Sequence, residues 1–208
     1  MSRSFTNTLF WLCGIIGAIG LLLYLFVFDT WVVPDRDVMF VASIQPTLLP
    51  NDRILTRRRS VPGVGELARC MDPTTGSYVI GRVMGVGNDV VEIKNGLVTT
   101  NGIGTPARHA CSPVTLTHPV SEELVTLNCA AVETGAWTYH FLAHPQFNDG
   151  DHAITVEPGR AFLLSDNRHM HQDSRDFGTV DITTCEHVVF RLWGDRFTDA
   201  ARRFTFLW

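Results

Sequence analysis

The sequence has one lysine, Lys94; every other member of its 17 basic residues is an arginine. Set against 21 acidic residues this leaves a formal charge of −4, and the one basic run is Arg57-Arg58-Arg59. Proteins that bind nucleic acid neutralise phosphates with clustered cations, so the composition speaks against a nucleic-acid partner. C-x-x-C pairs are lacking as well, which removes the usual signature of a zinc site. No repeat or low-complexity stretch is visible. Between Leu9 and Phe28, in "LFWLCGIIGAIGLLLYLFVF", charge is missing altogether. At ~1.5 Å per residue a helix of that length crosses a hydrocarbon core of ~30 Å. The run exceeds the apolar core of a cleavable leader, and "DTWVVPD" after it has no small-x-small cleavage pattern, so an uncleaved anchor over residues 9–28 is expected. Arg3 precedes the span while Arg36 and Arg53 follow it, and charge counting leaves its orientation open.

The remaining chain, residues 36–208, has room for one domain, and an apolar content of 45% supplies a core. Short β-branched runs alternate there with Gly, Pro, Asn and Asp: "RILTR", "SYVIGRVMGV", "DVVEIKNGLVTTNG", "AITVEP", "RAFLLSD" and "HVVFRLW". These are strand and turn signals, and a mainly β domain is expected. Asn95-Gly96 between alternating segments marks a hairpin, and "RRRSVPGVG" reads as a turn between strands. Cys70, Cys111, Cys129 and Cys185 fit two disulfides in any of three connectivities, or four buried thiols.

Three segments concentrate the chemistry. "SIQPTLLPNDRIL", residues 43–55, sets Ser43 before a proline-stiffened turn, where a hydroxyl and a backbone N–H can face a peptide carbonyl. "GRVMGVGNDVV" covers residues 81–91. "SDNRHMHQDSRDFG", residues 165–178, is the most concentrated polar run in the chain. In this order the three resemble the boxes of type I signal peptidases. Ser43-Ile44-Gln45-Pro46-Thr47-Leu48 resembles S-M-x-P-T-L, and Asn51-Asp52-Arg53-Ile54-Leu55 resembles G-D-x-I-x. Arg82 to Asp89 is similar to K-R-x-x-G-x-P-G-D without its lysine. Ser165 to Gly178 is similar to G-D-N-R-x-x-S-x-D-S-R-x-x-G. Residues 104–147 match no pattern of this kind.

The resemblance implies a signal-peptidase-like β domain on a single N-terminal transmembrane helix. It places residues 1–8 in the cytoplasm and the domain on the outer face of the cytoplasmic membrane. It implies a serine endopeptidase without a cofactor, whose partners are membrane lipid and the extended signal-peptide region of exported preproteins. It also implies a serine–lysine dyad with Ser43 as nucleophile, and here the chain departs from the pattern. Gly81 stands at the lysine position, and Arg82 stays charged in proteins and cannot replace a base. Lys94 belongs to a hairpin arm. Where the family has a serine that bonds the lysine, this chain has His171, whose imidazole accepts a proton near its ordinary pKa of ~6.5.

His171 is therefore the expected general base, with Gly81 opening space for its ring beside Ser43 and Asp173 holding the ring or stabilising the imidazolium. In the family the matching aspartate pairs with the arginine that is Arg175 here. His169 is the weaker candidate. Val41 lacks the hydroxyl that some members have two residues before the nucleophile, which leaves the Ser43 N–H at the oxyanion site. The alternative is a catalytically inactive relative that binds signal peptides or a membrane partner.

Overall fold

The computed structural model describes residues 3–94, 97–104, 106–133, 138–144 and 150–207. It opens with helix α1 (Arg3–Phe26), whose residues Asn7–Phe26 have a mean hydropathy of 2.4 and are not buried in the domain. By length and composition α1 suits a single-pass anchor. The uncharged run continues to Phe28, but Phe28 already belongs to the first strand, so Val27 alone separates helix from sheet. Arg58 closes this junction. Its N–H donates to the Val27 carbonyl (2.8 Å) and its Nη1 to the Leu25 carbonyl (3.1 Å), serving oxygens that a helix end leaves without intrahelical partners. Its Nη2 reaches Asp29 at 3.1 Å.

The rest is mainly β. In chain-order numbering the largest sheet contains β1 (Phe28–Val32), β2 (Arg53–Arg57), β3 (Leu67–Met71), β4 (Tyr78–Val86), β12 (Arg160–Leu164), β13 (Val180–Asp181) and β14 (Glu186–Trp193). Their order is β1-β2-β14-β3-β4-β12-β13, and β15 (Thr205–Phe206) pairs with β14. A second sheet has the order β11-β5-β6-β7, from β5 (Val90–Lys94), β6 (Leu97–Thr100), β7 (Ile103–Gly104) and β11 (His152–Thr155). The third is an antiparallel meander of β8 (Ala107–Thr117), β9 (Leu124–Glu133) and β10 (Thr138–Ala143). It fills the region for which the sequence offered no pattern. β5 and β6 pair as the hairpin expected, from Val91 opposite Thr100 to Lys94 opposite Leu97. Its Asn95-Gly96 turn lies outside the described residues.

β4 shows why the alternation fades in the middle of the domain. From Val79 to Gly85 it is buried throughout, because both of its faces are covered. Ile80 packs with Val33, Phe40, Leu48, Ile54 and Val188, Val79 and Val83 pack with Ala161 and Leu163, and Met84 packs with Val132, Tyr139 and Phe162. Each full burial of a Leu, Ile or Val side chain is worth roughly 1.5–3 kcal/mol. Two disulfides add covalent ties. Cys70–Cys185 joins β3 to the segment before β14, and Cys111–Cys129 links residues directly opposite on β8 and β9. Cys13, in α1, stays a free thiol.

Candidate active site

Ser43, expected just before a proline-stiffened turn, ends a short helix, α2 (Val38–Ser43), and residues 44–47 form the turn after it. Asp37 starts it by accepting the Phe40 N–H (3.0 Å), which satisfies one of the donors exposed at a helix start. Phe40 and Ile44, four residues apart and hence on one face, anchor it in the core with Leu48 and Ile80. Trp31 meets the Phe40 ring edge-on at 6.1 Å. The segment is thus held by packing on both sides of Ser43. The serine itself is fully buried, and its hydroxyl donates to the Phe40 carbonyl at 2.8 Å.

The segment 165–178 is a knot of side-chain-to-backbone bonds laid against α2. Asn167 donates its N–H to the Ser43 carbonyl (2.9 Å) and its side-chain amide to the Ala42 carbonyl (3.0 Å). The Asn167 side-chain oxygen then accepts the N–H groups of His169 and Met170, curling the loop around it. The Ser165 hydroxyl accepts the Gln172 N–H at 3.2 Å and draws the two arms of the loop together. Asp166, just before Asn167, is locked by a buried, two-pronged ion pair with Arg82 (2.9 and 2.8 Å) and by the Thr47 hydroxyl. Thr47 comes from the box that Ser43 opens, so β4, the Ser43 segment and the loop share one polar node.

The loop ends in a single helical turn, α3 (Ser174–Phe177), opened by a capping box in which Asp173 and Asp176 serve each other's backbone donors. The Asp173 carboxylate is held by Arg175 through Nε (3.0 Å) and Nη2 (2.8 Å) and by the Ser165 N–H (2.8 Å). Burial alone would raise its pKa, but these bonds pull it below the ordinary carboxylate range. The carboxylate bonded to the His171 ring belongs instead to Asp176, whose Oδ2 lies 2.8 Å from Nδ1. Burial opposes the imidazolium, yet the bond to Asp176, aided by the field of Asp173, prevails over burial and the Arg175 charge. The net effect raises the pKa of His171. Asp173 therefore acts on the ring through space and Asp176 by contact. The D-S-R-D spacing was the signal for Asp176, read in the sequence only as part of a longer box.

Ser43 and His171 sit on two segments riveted by Asn167, but among the described residues the Ser43 hydroxyl bonds Phe40 and not the imidazole. The space expected beside Gly81 is occupied. A Cβ built there would lie 3.1 Å from the Leu163 Cβ and 3.3 Å from the Leu164 carbonyl oxygen, so β12 fills the site. Lys94 lies on β5 with its ammonium 2.8 Å from Glu92, and that bond raises its pKa. A lysine that exposed and that firmly charged is no proton acceptor. The His169 ring is packed with those of His144 (5.2 Å) and His118 (6.0 Å). Ligand atoms of His171, Asp173 and Asp176 lie within 4.8 Å of one another. Arg175 already claims both oxygens of Asp173, and a cation would have to displace a guanidinium to enter.

This arrangement is a serine in an S-I-Q-P-T-L box clasped to a D-N-R…D-S-R loop, on a β domain behind an apolar helix. The chain belongs to the signal peptidase family, peptidase S26, whose family model matches residues 6–193. The family's general role is the cleavage of signal peptides. Among solved structures the chain is similar to a signal peptidase I from Enterococcus faecalis V583, at 21% identity and a TM-score of 0.41 over 62% of this chain and 97% of that one. No curated protein matches it.

Proposed function

We propose that the chain is a membrane-anchored serine endopeptidase that removes signal peptides from exported proteins, with Ser43 as nucleophile and His171 as general base. The observation that carries this reading is the double grip of Asn167 on Ala42 and Ser43, which ties the nucleophile to the loop bearing the His171–Asp176 pair. With Asp176 accepting from Nδ1–H, Nε2 is the ring atom that takes up a proton. On substrate binding the Ser43 hydroxyl turns from the Phe40 carbonyl and passes its proton to Nε2 as Oγ bonds the scissile carbonyl carbon. The imidazolium then protonates the leaving amine as the C–N bond breaks, and water releases the acyl group by the same route. Asp176 and Asp173 stabilise the imidazolium, Asp176 by hydrogen bond and Asp173 by its charge. The Ser43 N–H, released from the last turn of α2 on substrate binding, serves the oxyanion.

An extended peptide docked along a strand would present alternate side chains to small apolar pockets, which accounts for a small residue before the cleaved bond. The two disulfides support a domain on the outer, oxidising side of the cytoplasmic membrane. Single Ser43→Ala and His171→Ala replacements, assayed on a preprotein, should lower cleavage by at least ~10²-fold, while Lys94→Ala and His169→Ala should leave it near wild type. Full cleavage by His171→Ala, or its loss in Lys94→Ala, would reject the assignment.

One observation favours a second reading. Ser43 is fully buried with its hydroxyl turned to its own helix, as suits an inactive relative that binds signal peptides or a membrane partner. A wild-type protein that binds a signal peptide saturably and never cleaves it would establish that reading.

A further inference from the structure

Three consecutive arginines, Arg57, Arg58 and Arg59, end β2 at the foot of helix α1. Arg58 fixes their height. It bonds the Leu25 and Val27 carbonyls and the Asp29 carboxylate, and Arg57 lies directly opposite Phe28 in the β1–β2 register. With α1 as the anchor, this level is the edge of the hydrocarbon. No charged residue lies between Arg3 and Asp29, and the exposed Tyr24 on the last turn of α1 sets its hydroxyl 3.4 Å from that of Thr30, the placement of a tyrosine at a membrane–water boundary. The side chains of Arg57 and Arg59 are exposed there, and among the described residues neither has a carboxylate partner. The acidic groups nearby are committed elsewhere. Asp29 bonds Arg58 and Arg69, Glu186 bonds Arg69 and accepts the Thr56 hydroxyl, and Glu66 accepts the Gly63 N–H and faces His187. Arg59 also holds a left-handed backbone (φ 54°) that glycine adopts more easily, so the turn itself does not call for an arginine.

We propose that Arg57 and Arg59 form a headgroup site for an anionic phospholipid, with its phosphate on the two guanidinium groups where α1 leaves the bilayer. The two residues are at most ~7 Å apart along the backbone, a gap that two long side chains close. Guanidinium meets phosphate oxygens in paired, charge-assisted hydrogen bonds. Phosphatidylglycerol carries one negative charge and no cation, whereas the choline of phosphatidylcholine sets a positive charge beside the same phosphate and opposes the arginines. The acyl chains of a lipid held here run along the exposed apolar side chains of α1, Phe26 among them. An acidic peptide would have to enter a layer already filled by headgroups, so a lipid is the favoured occupant. The site goes beyond the peptidase reading and rests only on the anchor.

Native mass spectrometry of the full chain in a nonionic detergent, titrated with dioleoylphosphatidylglycerol or dioleoylphosphatidylcholine, tests the site. Each arginine near an anionic lipid is worth about fivefold in affinity. The wild type should therefore bind phosphatidylglycerol saturably and at least ~10-fold more tightly than phosphatidylcholine. Arg57→Gln combined with Arg59→Gln should bring the two lipids within about twofold of each other. Arg196→Gln combined with Arg203→Gln removes two charges beyond Trp193, at the end of β14 away from His187, the residue that faces Arg57, and should leave the preference intact. The site is rejected if the wild type binds the two lipids alike, or if the distant pair of replacements lowers the preference as much as the Arg57 and Arg59 pair does. It is rejected as well if hexaglutamate or inorganic phosphate displaces phosphatidylglycerol at equal concentration. Should the Arg57 and Arg59 double variant fail to fold, the wild-type lipid comparison, the distant pair and the two competitors still decide.

Discussion

The Nδ1 of His171 lies 2.8 Å from an oxygen of Asp176 that also accepts the backbone N–H of Asp173. One carboxylate oxygen thereby sets the tautomer of the ring and starts the helical turn behind it, so the orientation of the proposed base is built into the local fold.

The pH dependence of cleavage follows from this contact. A general base works deprotonated, and the pKa of His171 is raised, so the acid limb of kcat/KM should fall above the ~6.5 of a free imidazole. Asp176→Asn removes the charge that sustains the shift, and its acid limb should move toward lower pH. A kcat/KM profile of the two proteins checks this; coincident acid limbs would detach Asp176 from the base.

The same pair makes stability depend on pH. Because the folded state holds the His171 proton more tightly, the stabilisation is complete below the unfolded pKa of ~6.5 and disappears as pH rises through the folded value. The Tm difference between wild type and His171→Ala should therefore be larger near pH ~5.5 than near pH ~9. Asp176 is substantially exposed, so the pH-dependent part should stay within about 1 kcal/mol.

Restoring a lysine at position 81 should fail. The site is occupied by Leu163 and Leu164 of β12, and overpacking a filled strand interface costs roughly 1–3 kcal/mol. Gly81→Lys should lower the urea midpoint and should not restore cleavage to His171→Ala. Recovery of activity in that double variant would mean that β12 yields more readily than its packing indicates.

The Arg82–Asp166 pair should be among the least replaceable contacts in the domain. Both side chains are buried, and removing one partner strands a charge at a cost of about 3–5 kcal/mol. Arg82→Met should lose most of that in chemical denaturation, and Arg82→Met with Asp166→Leu should regain part of it. Cleavage should not return in the double variant, since Asp166 also fastens Thr47 to the loop.

Much of the sheet was legible. "RILTR" became β2 because its alternation agrees with the tertiary environment, and "RAFLLSD" and "HVVFRLW" became β12 and β14 as short apolar runs bounded by turn residues. The meander from Ala107 to Ala143 was not, since long strands carrying an internal proline, Pro113, and a register shift between Cys111 and Val114 blur the period of two. α2 was not foreseen, because Val38, Phe40 and Val41 favour strands by propensity. The Asp37 cap and the burial of Phe40 and Ile44 overrule that preference. At the site, Ser43 and His171 stand out by residue type and box position. The filling of the Gly81 gap by β12 is a tertiary event with no local signature, and Asp176 was hidden because its spacing from Asp173 also belongs to an ordinary cap.

The clasp of Arg58 on the last turn of α1 bears on how the molecule meets its substrates. With Val27 the sole residue between helix and sheet, and one guanidinium bridging Leu25 to Asp29, the stalk has no swivel. The domain must tilt whenever the helix tilts, so bilayer thickness, which sets helix tilt, also sets the height and angle at which the serine-bearing face is offered.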